Sequence, residues 1–269
     1  MPWLLYALRL TVLTVERMAF HRMGEDGSPL GSALVAYGGG ALVLLPLAWW
    51  DGRLVDLGAV PSGLVYAGSF FLYLWSLQIG PLAVVAPWPA AAALMLWLWH
   101  PDGGVPALLG VLLLVAGGLI SAGQSPKNGL RAVAIMLVSD ALLAWARFMD
   151  QGRAAGPPTA YAFTVFSVVA VVFLLAAIAA NRVGEARTLL LRNPLWTILA
   201  ALTNGTAYFT VVALLDYWPA YLLEALSGAA GVLTVMAAVV WLRDGQALRR
   251  LSGAALMAAG AGVLLALRG

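Results

Sequence analysis

The chain has 269 residues, of which 62% are hydrophobic and 10% are charged, and its formal net charge is +3. Soluble globular proteins have about 45–50% apolar and about 25% charged residues, so this composition excludes a water-soluble enzyme, a nucleic-acid-binding protein and a disordered chain. Unbroken apolar runs, such as 107–122 and 164–180, differ from the alternating strands of a membrane barrel and predict an all-α membrane protein.

Ten stretches of the sequence are long and apolar enough to cross a bilayer as helices, which takes roughly 20 residues. The connections between them are short and contain many turn-forming residues, so none can hold a soluble domain. Any function therefore lies inside the helical bundle or at its two ends. In chain order, the predicted transmembrane spans are residues 2–21, 29–50, 58–79, 81–100, 104–123, 130–150, 157–181, 194–215, 218–242 and 246–267.

The two halves of the chain repeat each other in several positions that occur in the same order. The matching positions are Gly110 with Gly253, Gly117 with Gly260, and residues 68–71 with residues 205–208. We therefore predict two five-helix domains, residues 1–124 and 125–269. Because five is an odd number, the second copy enters the membrane from the opposite side. The sequence thus predicts two inverted five-helix repeats, an architecture typical of secondary transporters.

The small and turn-forming residues of both halves resemble the EamA-like branch of the drug/metabolite transporter superfamily. In the second half they are Pro219, Ala220, Gly231, Asp244, Gly253 and Gly260, and in the first half Pro89, Asp102, Gly110 and Gly117. The resemblance covers nearly the whole chain and implies a transporter whose central cavity is lined by spans 1, 3, 4, 6, 8 and 9. Gly231 stands where this family usually has a proline, and aspartate replaces the usual glutamate of the turn in both halves. These motifs specify the scaffold and assign no role to a residue of the cavity.

Ionisable side chains inside the predicted spans are the informative residues, because each costs about 2.5–3.5 kcal/mol at a helix centre and usually faces a cavity or a partner. Arg9 and Glu16 lie seven residues apart on one face of the first span, and Asp140 and Arg147 have the same spacing in the sixth. We expect Arg9 to pair with Asp140, or Glu16 with Arg147, around a cavity that binds a zwitterion or holds a carboxylate that titrates during transport. The alternatives are a structural ion pair or snorkelling to the membrane surface, which is also what we expect of Arg17.

A second group of candidates comes from the other spans that are expected to face inward. Glu224, five residues after Pro219, is a candidate proton-coupling carboxylate, and the alternative is an acid stabilised by the start of its helix. Aromatic side chains in this group can stack on an organic cation, although ordinary packing and hydrogen bonds between helices are the alternatives. The polar and aromatic candidates are Asn204, Tyr208, Tyr73, Gln78, Trp88 and Tyr221, with Tyr6 and Trp145 as further aromatics. Tryptophans near span ends, Trp218 among them, are expected to form an interfacial belt.

Proline and glycine positions predict two structural features. Pro81, Pro87 and Pro89 lie within nine residues of the fourth span, and the last two should break its helix into an element that gates or shapes the cavity. The repeated glycine pairs in the fifth and tenth spans should allow close approach of neighbouring helices.

The sequence thus predicts a secondary active or facilitative exporter of a small polar or amphipathic metabolite, such as an amino acid or organic cation, with proton coupling as one option. A flippase for a lipid or lipid-linked precursor is the alternative. The chain has no cysteine, two distant histidines and no Walker A sequence, so we expect no enzymatic activity, metal, cofactor or ATP drive. The expected partners are a small-molecule substrate, membrane lipids and protons but no nucleic acid, for a monomer or homodimer in a bacterial inner membrane.

The charges of the loops and the family resemblance disagree about membrane orientation. If the N-terminus is cytoplasmic, as the resemblance implies, the cytoplasmic loops and tail carry three basic residues and the loops of the opposite side carry nine. The positive-inside rule therefore favours both termini outside. The three are Arg53, Arg153 and Arg268, and the nine are Arg22, Lys127, Arg131, Arg182, Arg187, Arg192, Arg243, Arg249 and Arg250.

Overall fold

The computed structural model of the chain describes residues 2–99, 101, 104–122, 127–152, 156–241 and 246–267. Within these ranges the secondary structure is entirely helical, with one short 3₁₀ turn at Leu57–Ala59 and no β-strand. The turn residues Asp102 and Asp244 lie outside the described ranges. The α-helices are α1 (Pro2–Asp26), α2 (Pro29–Trp50), α3 (Val60–Ile79), α4 (Leu82–Val85), α5 (Ala90–Trp99), α6 (Gly104–Ala122), α7 (Lys127–Gln151), α8 (Pro158–Ala179), α9 (Val183–Arg192), α10 (Pro194–Leu214), α11 (Ala220–Ser227), α12 (Ala229–Trp241) and α13 (Ala247–Ala266).

Nine stretches of the described chain are long and apolar enough to cross a membrane, which fits the predicted multi-pass helical membrane protein. They are α2, α3 with its 3₁₀ turn, α4 with α5, α6, α7, α8, α10, α11 with α12, and α13. The first predicted span forms α1, a helix of 25 residues that contains Arg9, Glu16 and Arg17 and is therefore more polar than the other nine. These three side chains are only 2–4% exposed, so the helical bundle surrounds them.

Prolines and a serine cap mark where several of the long helices begin. The Ser28 side chain accepts a hydrogen bond from the backbone N–H of Gly31, and Pro29 occupies the first turn of α2. Pro158 and Pro194 likewise lie in the first turns of α8 and α10, where a missing N–H costs no helical hydrogen bond. These signals explain why the predicted starts of the spans agree closely with the observed ones.

The fourth predicted span is interrupted, as its prolines predict. Helix α4 ends at Val85 and α5 begins at Ala90, because Pro87 and Pro89 lack the N–H groups that would continue the hydrogen-bond pattern. Residues 86–89 form turns between the two helices. This break lies in the middle of a buried span.

The ninth predicted span has a matching interruption at Gly228, between α11 and α12. A Cβ atom added to Gly228 would lie 3.3 Å from the Cβ of Ala90, and one added to Gly231 would lie 3.3 Å from the backbone of Ala86 and Pro87. The two broken spans therefore pack against each other at their interruptions. Gly231 allows this close approach because it has no side chain.

Helices α6 and α13 pack through the two glycine pairs. A Cβ atom added to Gly110 would lie 3.1 Å from the carbonyl oxygen of Gly260, and one added to Gly253 would lie 2.5 Å from that of Gly117 and 2.7 Å from the amide nitrogen of Ser121. Backbone atoms cannot move aside as a flexible side chain can. The glycines therefore allow the close helix contact that the sequence predicts.

We expect Gly253→Ala to destabilise the protein by about 2 kcal/mol, because the new methyl group overlaps the backbone of α6. Gly262→Ala on the same helix is the matched control, since no atom from another part of the described chain lies within 4 Å of its added Cβ. There the better helix propensity of alanine should be neutral or stabilising by up to about 1 kcal/mol. Denaturant unfolding in detergent micelles measures both variants, and equal stabilities would contradict this packing.

Two features of the periphery differ from the sequence predictions. The connection between α8 and α10 contains the additional short helix α9, which was not predicted and whose Glu185 accepts a hydrogen bond from Ser28. Trp218 was expected in an interfacial belt, but it is only 5% exposed. Its ring packs against Trp3 and Tyr6, at centroid distances of 5.2 Å and 5.5 Å, and this aromatic cluster explains its burial.

A charged central cavity as candidate functional site

A cavity of about 70 Å³ lies among the helices. Both helix interruptions reach it, through Pro89 and Gly228. The side chains that line it come from α1, α2, α3, α7, α10 and α11: Arg9, Leu13, Glu16, Arg17, Tyr37, Ser69, Phe70, Tyr73, Ser139, Leu143, Arg147, Asn204, Ala207, Tyr208, Glu224 and Ser227.

Glu224 on α11 connects two arginines that come from different helices. Its Oε1 accepts a hydrogen bond of 2.5 Å from Nε of Arg147 and lies 3.6 Å from Nη2 of Arg9. Arg9 also donates from Nε to the Ser227 hydroxyl at 2.6 Å and from Nη1 to the carbonyl of Ala207 at 2.8 Å. One carboxylate therefore holds α1, α7 and α11 together beside the break at Gly228.

Asp150, near the end of α7, anchors Arg147 from the other side. Arg147 donates to its Oδ2 at 3.0 Å, and the hydroxyls of Tyr66 and Tyr161 donate to its two carboxylate oxygens at 2.6 Å and 2.8 Å. Tyr208 donates a further bond at 3.2 Å. A fully buried carboxylate with this many donors is well stabilised, and it fixes the position of Arg147 in the cavity wall.

Aromatic rings enclose the Arg147 guanidinium. Its Cζ lies 5.2 Å from the ring centroid of Tyr66 and 5.3 Å from that of Tyr208, so both rings contribute cation–π contacts. The Tyr66 hydroxyl also accepts a hydrogen bond of 2.5 Å from Arg147. These contacts leave the arginine little freedom to swing out of the wall.

A second charged group consists of Glu16, Arg17 and Tyr73, which all line the cavity. Nε of Arg17 donates to the Tyr73 hydroxyl at 3.3 Å, and this hydroxyl lies beside the Glu16 carboxylate, to which it can donate. We call these three residues the Glu16–Arg17–Tyr73 cluster. Within the described part of the chain, neither Glu16 nor Arg17 makes an ion pair within 4.0 Å.

Seven of the eleven predicted site residues line the cavity: Arg9, Glu16, Tyr73, Arg147, Asn204, Tyr208 and Glu224. The other four, Asp140, Gln78, Trp88 and Tyr221, are not among the described residues of its lining. Asp140 is buried behind the wall with no hydrogen-bond partner for either carboxylate oxygen among the described residues, next to Ser139, which faces the cavity. Gln78 packs against Gly24 of α1.

The predicted ion pairs were wrong. Arg9 does not pair with Asp140, and Glu16 does not pair with Arg147. Glu224 from α11 lies between the two arginines and forms an ion pair with each of them. Arg17 does not snorkel to a surface, since it is 2% exposed and lines the cavity. Trp145 does not face inward, being 50% exposed and packed against Trp99 and Phe148 on the outside of the bundle.

Asp150 and two of its tyrosine partners, Tyr66 and Tyr161, were not predicted from the sequence. Asp150 is the last residue of the sixth predicted span, a position where an acid normally reaches the membrane surface. Its spacing of three residues from Arg147, one helical turn away on the same face, was the available signal. Tyr66 and Tyr161 gave no such signal, since tyrosines in apolar spans are common packing residues.

The cavity offers no obvious metal site. Among the described residues, no group of three or more histidine, cysteine, aspartate or glutamate side chains can hold a metal ion. The acids of the lining are instead surrounded by guanidinium and hydroxyl groups. These groups can form ion pairs and hydrogen bonds with a molecule in the cavity.

Comparisons with known proteins concern the fold and name no function. No known protein family matches the chain, and no curated protein matches it in sequence. A solved crystal structure of another protein shares the fold with a TM-score of 0.72 at 17% sequence identity, covering 99% of this chain and 98% of the other. At this identity the similarity concerns the fold alone.

Proposed function

We propose that the chain is an EamA-like secondary active or facilitative transporter, which exports a small polar or amphipathic metabolite by alternating access. The charged central cavity carries this proposal. Five charged and four aromatic side chains line this cavity inside a bundle of membrane helices. Ionisable groups at such positions typically mark the pathway of a substrate or ion.

In this proposal α1 is the first of ten spans, and the two halves of the chain are inverted repeats. The contacts of Gly110 with Gly260 and of Gly117 with Gly253 support it, because they make α6 and α13 antiparallel. In the repeat, Gly110 corresponds to Gly253 and Gly117 corresponds to Gly260. A two-fold axis in the membrane plane would therefore turn the Gly110–Gly260 contact into the Gly253–Gly117 contact. An axis along the bilayer normal would instead make the equivalent helices parallel.

The two interrupted spans give the proposed transporter its moving parts. They occupy equivalent places in the two halves, pack against each other and border the cavity at Pro89 and Gly228. Interrupted helices beside a site between repeats are a recurrent design of secondary transporters. Residues from all six spans that the family resemblance implies, predicted spans 1, 3, 4, 6, 8 and 9, line the cavity together with Tyr37 of α2.

Proton coupling is part of the proposal, and its candidate carboxylates are Glu224 in the lining and Asp140 behind it. No connection in the sequence is long enough for a nucleotide-binding domain, so an ion gradient or exchange drives transport in this account. The proposed location is a bacterial inner membrane, with both termini outside according to the loop charges.

The flippase alternative gains no support from the site. It requires Arg9 or Arg147 to hold a phosphate group, but both guanidiniums are already engaged by Glu224, and Arg147 also by Asp150. A phosphate would have to displace a buried carboxylate. Soluble cargo therefore remains the better interpretation of the cavity.

A thermal-shift panel with the purified protein, followed by exchange in proteoliposomes, tests the proposal. The panel contains amino acids, amines, nucleosides and lipid head groups. We expect at least one soluble metabolite to raise the unfolding midpoint and to exchange across the membrane. Responses confined to lipid head groups would favour the flippase, and no response in either assay would favour a purely structural membrane protein.

A further inference from the structure

The charged groups of the cavity fall into two sets, which differ in how many of their ion-pair and hydrogen-bond partners the protein supplies. In the first set, Arg9 and Arg147 share Glu224, and Arg147 has Asp150 as its second partner. Two positive and two negative groups are therefore balanced in connected ion pairs with distances of 2.5–3.6 Å. This set has little capacity left for a ligand.

The Glu16–Arg17–Tyr73 cluster is the second set, and it is incomplete. Arg17 is 2% exposed, yet its Nη1 has no hydrogen-bond partner among the described residues. Glu16 is equally buried and has the Tyr73 hydroxyl beside it, but it lacks an ion pair in the described chain. Nδ2 of Asn204, another residue of the lining, is also an unpartnered donor within the described ranges. At neighbouring positions of α1, the cavity thus contains a guanidinium nitrogen without a hydrogen-bond acceptor and a carboxylate without an ion-pair partner, counted among the described residues.

Buried charges that lack partners are costly, and a ligand that supplies the missing partners recovers that cost on binding. A lone cation would pair with Glu16 and leave Arg17 unfilled. A lone anion would pair with Arg17 and leave Glu16 unpaired. A zwitterion completes both at once and brings no net charge into the membrane.

We infer that the Glu16–Arg17–Tyr73 cluster binds the zwitterionic head of a small α-amino acid, with the carboxylate on Arg17 and the ammonium group on Glu16. This inference rests on the proposed transport function and narrows its cargo, because it excludes simple organic cations as preferred substrates. Leu13, Phe70 and Leu143 provide apolar contacts in the same cavity for an aliphatic side chain.

Three probes of nearly equal shape test the inference by thermal-shift titration in detergent. L-leucine carries both charges, L-leucinamide carries the ammonium group alone, and 4-methylpentanoate carries the carboxylate alone. We expect the wild-type protein to bind L-leucine at least ~10-fold more tightly than either analogue, since each charged hydrogen bond contributes at least that factor.

Single substitutions should then remove one preference each. Arg17→Gln should lower the affinity for L-leucine about 10-fold and change the affinity for L-leucinamide by no more than about twofold. The variant should then bind the two compounds alike. Glu16→Gln should make L-leucine and 4-methylpentanoate bind alike. Arg17→Lys keeps the positive charge and should retain most of the preference for L-leucine over L-leucinamide, which separates loss of recognition from loss of fold.

Equal affinity of the wild-type protein for L-leucine and L-leucinamide, or no binding of L-leucine, would overturn the inference. Preferences that persist unchanged in Arg17→Gln and Glu16→Gln would overturn it as well. In all these cases another compound of the panel can still bind and exchange, which leaves the proposed transport function standing. Failure of transport itself appears as an absence of exchange for every compound of the panel.

Discussion

Replacing Asp150 with asparagine should destabilise the protein by about 3 kcal/mol or more, whereas the same change at Asp140 should cost less than about 1 kcal/mol. Both carboxylates lie on α7 and are at most 1% exposed. Asp150 pairs with Arg147 and accepts bonds from several hydroxyls, so its loss leaves a buried charge poorly compensated. Neither oxygen of Asp140 has a hydrogen-bond partner in the described chain to lose.

Denaturant unfolding in detergent micelles measures the two variants side by side. Because the substitution, the helix and the burial are matched, the difference isolates the network around Asp150. Similar stabilities for Asp150→Asn and Asp140→Asn would mean that this network does not hold the bundle together. A larger loss for Asp140→Asn would mean that the Asp140 carboxylate stabilises the bundle more than the Asp150 network does.

Replacing Glu224 with glutamine should lower transport about 100-fold. The change leaves Arg9 without a carboxylate partner, and removing one member of a buried ion pair costs about 3–5 kcal/mol. If the transporting state carries this free-energy cost, the rate of transport falls by a factor of at least ~100. Exchange of radiolabelled L-leucine in proteoliposomes provides the measurement, and Glu25→Gln on an exposed side chain is the matched control.

A double variant distinguishes a transport defect from a folding defect. Adding Arg9→Gln to Glu224→Gln removes the uncompensated charge, while Arg147 keeps Asp150. We therefore expect the double variant to recover thermal stability without recovering exchange. Full exchange by Glu224→Gln alone would show that the carboxylate linking α1, α7 and α11 has no role in transport.

The sequence predicted those parts of the fold that depend on local signals. Apolar length predicted the nine membrane-crossing stretches of the described chain, and prolines predicted several helix starts. Pro87 and Pro89 predicted the break in the fourth predicted span. The glycine pairs predicted that α6 and α13 each make a close helix contact, because spaced glycines on one face of an apolar helix typically mark one. That these two helices contact each other was not predicted. The break at Gly228 was not predicted, since a single glycine in a small-residue helix is no specific signal.

Four of the five charged residues of the cavity were predicted, but Arg17 and the pairing of the others were not. Charges inside apolar spans must face inward, and this rule alone places Arg9, Glu16, Arg147 and Glu224 correctly. Pairing depends on which helices touch, and that is a property of the tertiary fold. Helix α1 packs along α10 and α7 along α3, so the matching charge spacing of the first and sixth spans did not reflect direct pairing.

Membrane-impermeant labelling of a single cysteine in the cavity tests most directly whether the site opens alternately to both sides. The chain contains no cysteine, so each variant has one reactive site. Ser227→Cys lies in the cavity lining, Ser32→Cys is fully buried outside that lining, and Thr188→Cys is exposed on α9. In proteoliposomes of mixed orientation, an external methanethiosulfonate reagent labels Thr188→Cys up to the fraction that faces outward.

Alternating access predicts that the external reagent labels Ser227→Cys to completion, because every molecule exposes its cavity to the outside in turn whatever its orientation. Ser32→Cys should stay unlabelled throughout. A plateau of Ser227→Cys labelling at a fraction set by orientation, with the reagent inside the vesicles labelling the remainder, would describe a cavity open to one side only. That result, or an absence of labelling at Ser227→Cys, would contradict a transporter.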